Sequence, residues 1–232
     1  MEHLNQALFG YFPYIALTVF FVGSLIRFDR EQYTWRSGSS QILDRRNMVV
    51  ASNLFHVGIL GLLVGHSVGM LTPLPVFEAL GIEPSTKQMM AICIGSIFGI
   101  MTMVGLTMLI IRRLGVARVH LNSTSTDIAI LWMLLAQGGL GMISVFYSLN
   151  HLDGSVMVEL MRWAQGIWSF DQHAASHLIG VAWVFKAHIV LGLCIILLFP
   201  FSRLVHVWSV PVWYMGRSYQ IVRKRQRRSM VR

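Results

Sequence analysis

Five long apolar stretches, at about 4–27, 48–71, 88–111, 127–147 and 179–202, dominate this chain of 232 residues. Each is long enough to cross a hydrocarbon core of about 30 Å as a helix. Within lipid, only a helix or a closed barrel satisfies its own backbone. Stretches of this length far exceed a barrel strand, so the expected fold is all-α: a polytopic membrane bundle of five transmembrane helices. Composition agrees. Hydrophobic residues make up 55% and charged residues only 12%, against about 25% charged in a soluble domain. That shortage excludes a disordered chain and leaves too few polar groups to cover a soluble globule. No internal repeat or separate soluble domain stands out, so 1–232 reads as a single integral membrane domain. Cys93 and Cys194 lie in apolar runs and form no disulfide framework. The opening MEHLNQALFG lacks a basic n-region and does not read as a cleaved signal peptide.

The formal net charge is +9. In a soluble protein that balance would suggest nucleic acid. Here its distribution points to anionic lipid, and no nucleic-acid partner is expected. The first connection holds Arg27, Arg30, Arg36, Arg45 and Arg46, and the third holds Arg112, Arg113 and Arg118. The C-terminal region holds Arg203, Arg217 and the basic tail at about 215–232, with its RKRQRR run. Of the 19 basic residues, only Lys87, Arg162 and Lys186 fall on the other side. The positive-inside rule therefore places the N-terminus outside and the C-terminus in the cytoplasm. The tail reads as a lipid-facing segment that fixes orientation. The connection around 151–170 contains VMVELMRWAQGIW, with Trp163 and Trp168, and reads as an amphipathic helix lying in the interface. Trp208 and Trp213 read as an aromatic belt near the inner surface.

Ionisable residues inside spans are costly and mark function. The second span carries His56 and His66. The fifth carries His188 and ends near His206. His56 and His66 are separated by about 15 Å along a helix and about 80° around it. His188 and His206 share one face, about 27 Å apart on a straight helix. The two spans run in opposite directions, so His56 and His206 lie near the cytoplasm, and His66 and His188 lie further out. Depth pairs His56 with His206 and His66 with His188. The two spacings differ by about 12 Å on straight-helix arithmetic. Tilt, side-chain reach and a bend at Pro200 must absorb this.

Two histidines facing each other across a bundle can hold a b-type haem as axial ligands, since neutral imidazole nitrogen binds iron. Gly58, Gly61, Gly65 and Gly69 supply either room for a flat porphyrin or a small-residue helix contact. A proton relay or transporter site, or histidines satisfied within the bundle, would use the same residues.

The segments QYTWRSGSSQILDRRNM, ASNLFHVGILGLLVGHSVGMLTP, KQMMA and LFPFSRLVHVWSVPVWY resemble the γ subunit of respiratory nitrate reductase, a membrane cytochrome b. The similarity runs from FPYIA near the start to the SYQIVR stretch. It implies a bacterial inner-membrane subunit with two haem b groups, the inner held by His56 and His206, the outer by His66 and His188. It also implies quinol as substrate, bound beside the outer haem near His66 and Gly65, with Lys87 matching the family's quinol-site lysine. Without the resemblance, Lys87 reads as a snorkelling interface lysine. The implied partners are a cytoplasmic iron–sulfur subunit and a molybdenum catalytic subunit where nitrate is reduced. Electrons would pass inward to them while protons leave outside. A cytochrome b of another quinone-linked reductase is the alternative within the class, and a proton-coupled transporter the alternative outside it.

Other polar residues carry weaker expectations. His173 and His177 are spaced i, i+4 and could share a helical face for a metal, but no carboxylate motif accompanies them. Lys186 and Arg203 could meet haem propionates or simply anchor span ends. Arg112 and Arg113 read as topology determinants. His3, His120 and His151 lie outside the spans or at their edges.

Overall fold

The computed structural model describes residues 2–35, 40, 43 and 47–209. Arg36, Arg45, Arg46, Trp213 and the basic tail lie outside the described residues. Among those described there is no strand, and five helices are long and apolar enough to cross a membrane: Glu2–Arg30, Met48–Leu71, Pro84–Gly115, Ser125–Ser148 and Trp183–Phe201. We refer to them as the first to fifth spans.

Local sequence accounts for their ends. The first span widens into a π turn at Ala7–Tyr11, immediately ahead of Pro13, which has no amide hydrogen to give the preceding turn. The third span opens on Pro84, favoured at a first helical position, and ends at Gly115. Its 32 residues exceed the expected 88–111 at both ends and rise about 48 Å. Lys87 and Arg113 therefore sit near opposite ends. The fourth span begins with a capping box in which Thr124 and Asp127 satisfy each other's amides.

The fifth span departs most from expectation. Residues 179–182 precede the helix, which runs from Trp183 to Leu198. Pro200 then sits in a 3₁₀ turn, Phe199–Phe201, followed by Ser202 in extended conformation and a second 3₁₀ segment, Arg203–Ser209. The straight helix through His206 assumed in the spacing arithmetic does not exist.

The second span packs along the third, the third on the fourth, the fourth on the fifth and the fifth on the first. Second and third approach closely because of glycine. A Cβ at Gly58 would lie 2.6 Å from the Thr102 amide nitrogen, and one at Gly105 would strike that of Phe55. The second and fifth spans are not neighbours in this series and approach each other through side chains rather than close backbone packing. Their outward faces are apolar and bare: Val64 is 62% exposed within the chain, as suits lipid rather than water.

The interfacial helix forms at Ser155–Trp168 and buries Met161, Ala164 and Ile167. It starts at Gly154, in left-handed conformation (φ 78°), where a Cβ would stand 2.5 Å from the Pro84 carbonyl oxygen. Trp163 Nε1 donates to the Phe9 carbonyl at 2.9 Å. Gln165 Nε2 donates to the carbonyls of Met70 and Thr72, supplying donors that the end of the second span lacks. The helix thus covers one end of the bundle.

Candidate functional site

The structure brings the four span histidines together in two pairs. The rings of His66 and His188 have centroids 6.2 Å apart and an interplanar angle of 31°. Those of His56 and His206 are 6.3 Å apart at 70°. Each is a second-span residue facing the fifth span or its extension.

Their hydrogen bonds select a tautomer. His56 Nδ1 lies 2.7 Å from the Ser52 carbonyl, and His66 Nδ1 lies 2.8 Å from that of Leu62. His188 Nδ1 is 3.1 Å from the Gln137 carbonyl and His206 Nδ1 is 2.6 Å from that of Arg203. A carbonyl only accepts, so each Nδ1 carries the proton and each Nε2 keeps its lone pair.

This donor set fits a bis-imidazole iron. The centroid separations of 6.2 Å and 6.3 Å leave room for a metal ion between the two rings of each pair. The carbonyl bonds at Nδ1 are the usual outer-shell support of a ligating histidine. Room is present as well: a Cβ at Gly65 or Gly69 would meet nothing within 4 Å. The four-residue glycine series divides along its length. Gly58 and Gly61 face the third span, where a Cβ at Gly61 would strike the Phe98 ring, whereas Gly65 and Gly69 face open space. At 100° per residue the four lie within about 80° of one another, so the division follows position along the helix rather than a change of face.

Lys87 is not a snorkelling lysine. It is 5% exposed. Its Nζ donates to the Gly69 carbonyl at 2.6 Å, lies 2.8 Å from Met161 Sδ and stands 4.4 Å over the Phe77 ring. The interfacial helix and the connection after the second span enclose it, and its Nζ meets the second span at Gly69, about one turn beyond His66.

The remaining candidates separate. His173 precedes the 3₁₀ segment Ala174–Leu178, in which residues three apart are aligned and those four apart are not. A shared helical face for His173 and His177 is therefore absent. His177 Nδ1 instead meets Glu159 Oε2 at 2.7 Å. Lys186 Nζ donates to the Ile179 carbonyl. Arg112 donates to Ser40, and Arg113 donates to Ser123 Oγ at 2.8 Å with Asp127 at 3.5 Å. Arg203 lies 3.9 Å from the same Asp127. Beyond their place near one end of the bundle, these arginines join the third and fourth spans to the segment bearing His206.

Three contributors escaped sequence reasoning. Gln137, on the fourth span, orients His188 by accepting from Nδ1–H through its backbone carbonyl, while its side-chain Nε2 lies 3.2 Å from His188 Nε2, on the lone pair that iron would take. A lone amide inside an apolar span, in QGGLG, was its signal. Gly141, in the same run, admits the ring: a Cβ there would lie 3.2 Å from His188 Cε1. Arg27 is the third, through its bonds to the Pro200 and Ser202 carbonyls.

A family profile described as nitrate reductase gamma subunit matches residues 5–225. The chain is 50% identical over 226 residues to the respiratory nitrate reductase 1 gamma chain of Escherichia coli (strain K12), covering 97% of this chain and 100% of that one. It is 49% identical over 226 residues to the respiratory nitrate reductase 2 gamma chain of the same organism, with the same coverage. The nitrate reductase gamma chain of Bacillus subtilis (strain 168) is 37% identical over 221 residues, 95% of this chain and 99% of that one.

Proposed function

The chain belongs to the nitrate reductase gamma subunit family, a membrane subunit of a multi-subunit redox complex, and we propose on that premise that it is a quinol-oxidising dihaem cytochrome b. The observation that carries this reading is the pair of opposed imidazoles at each of two depths, with nearly equal separations.

His66 and His188 would hold the outer haem, and His56 and His206 the inner one, each through Nε2. The Nδ1–H bonds to backbone carbonyls orient the rings and raise their basicity. When bound, the two haems would supply one-electron carriers spaced across the membrane. Quinol would enter beside His66, along the open side of the second span at Gly65, within reach of Lys87. Lys87 Nζ, already enclosed, would donate to a quinol oxygen and stabilise the negative charge left as protons depart. The interfacial helix excludes water from that lysine and separates it from the aqueous face.

The asymmetry of basic residues supports an N-terminus outside and a C-terminus in the cytoplasm of the bacterial inner membrane. In this orientation Lys87 is at the outer side, where protons would be released. The chain from 1 to 232 would act as a single membrane domain, with its basic tail on the cytoplasmic side. Cytoplasmic iron–sulfur and molybdenum subunits would receive the electrons and reduce nitrate. Each electron carried inward across 100 mV costs about 2.3 kcal/mol, which the redox reaction must exceed.

A reduced-minus-oxidised optical spectrum of the purified complex tests the reading. The expected result is the α-band of bis-histidine b haem, reducible by quinol. A complex without that band rules out the cytochrome reading and returns the histidines to a proton-relay role.

A further inference from the structure

We propose that Arg27 is a positioning residue for His206, tying down the break at Pro200–Ser202 and so setting the course that carries His206 to His56. This inference rests on the two-haem reading above.

The break solves a register problem. His56 and His66 are about 15 Å apart along their helix, and the fifth-span helix covers the same 15 Å from His188 to its last residue, Leu198. His206 lies eight residues further on. Continued as a helix, the chain would carry it about 12 Å past His56. The segment from Phe199 onward must therefore turn aside, and it does so through a 3₁₀ turn and an extended Ser202.

Such a turn frees carbonyls that need donors at membrane depth. Arg27 supplies them. Its Nη1 donates to the Pro200 carbonyl at 2.5 Å and to the Ser202 carbonyl at 2.9 Å. Its Nη2 donates to the Thr34 carbonyl at 3.0 Å, and its Nε to Thr34 Oγ1 at 3.3 Å. One guanidinium thus joins the end of the first span, the turn Gln32–Thr34 and the break. Gly23, one turn earlier, lets the proline come in: a Cβ there would lie 3.0 Å from Pro200 Cγ. A cation that only fixed topology would need none of these bonds. A planar fork of donors serves several carbonyls together, and an ammonium does not.

The test uses the assembled complex carrying R27Q, R27K or G23A, with haem content and a redox titration followed optically. The haem of His66 and His188 is the internal control. R27Q should weaken retention of the His56–His206 haem roughly tenfold, the scale for outer-shell support of a ligating histidine, with the control haem retained. R27K, which keeps the charge, and G23A, which crowds Pro200, should shift the same haem's potential and leave the control unmoved. Unchanged content and potential of the His56–His206 haem in all three variants overturns the proposal. Equal loss of both haems also overturns it, since that marks general destabilisation. A wild-type complex without bis-histidine haem overturns the two-haem reading itself, a result visible before any variant is made.

Discussion

His66 and His188 lie 122 positions apart in the chain, yet their rings face each other with centroids 6.2 Å apart. Both present Nε2 as the unprotonated nitrogen, because a carbonyl occupies each Nδ1. The pair is held by three elements: the second span, the fifth span and, through Gln137, the fourth. Each contact makes a separate experimental expectation.

Substitution of either member of a pair should remove the same haem. His66→Ala and His188→Ala are expected to abolish one redox-titrating species and quinol oxidation with it. His56→Ala and His206→Ala are expected to abolish the other. Optical titration of the four variants decides this; loss of one common species in His56→Ala and His66→Ala would reject pairing by depth.

Lys87→Ala should weaken binding of a quinol analogue with both haems in place. A hydrogen bond from a charged donor contributes about 1.5–3 kcal/mol, or roughly tenfold to a hundredfold in affinity. Fluorescence or inhibition titration with a quinol-site inhibitor measures it. Unaltered affinity would leave Lys87 as a cap on the Gly69 carbonyl and nothing more.

Two glycines on one span should behave oppositely. Gly58→Ala drives a methyl into the backbone of the third span and should cost about 1–3 kcal/mol of stability, read as a lower thermal midpoint in detergent. Gly65→Ala meets open space and should leave that midpoint unchanged. A larger Gly65→Leu side chain should reduce quinol turnover by filling the same space. Equal thermal effects at Gly58 and Gly65 in the alanine variants would contradict this division of the glycine series.

Asp127→Ala removes the carboxylate beside Arg113, whose side chain is only 9% exposed, and beside Arg203. It also removes half of the capping box. Breaking a buried ion pair costs about 3–5 kcal/mol, and partial exposure of Asp127 brings the expectation to about 2 kcal/mol. Thermal unfolding of the detergent-solubilised complex should show the loss, with Asp127→Asn intermediate because it retains an acceptor for the cap. A midpoint equal to wild type in both variants would show that the arginines do not depend on this carboxylate.

Span number and helical class were legible because lipid allows so few backbone solutions, and the second span, Met48–Leu71, has the expected bounds. That His56 meets His206 and His66 meets His188 was legible from charge-derived direction and depth. The 12 Å mismatch between spacings was legible only as a problem. Its resolution needed the actual course after Leu198, where a proline, a 3₁₀ turn and a distant arginine act together. Sequence periodicity assumes one helical repeat, which is why it could offer His173 and His177 a shared face that the 3₁₀ segment Ala174–Leu178 does not give. The burial of Lys87 was hidden because it depends on a helix some 70 positions away folding back over it.

The bond from Arg27 to the Pro200 carbonyl joins residues separated by 173 positions. Both imidazole pairs likewise join the second span to the last. During synthesis, then, four helices enter the membrane before any two of these histidines can meet. On the two-haem reading, loading with cofactor would belong to the end of biogenesis, and a chain interrupted before Trp183 would lack the partners of its second-span histidines.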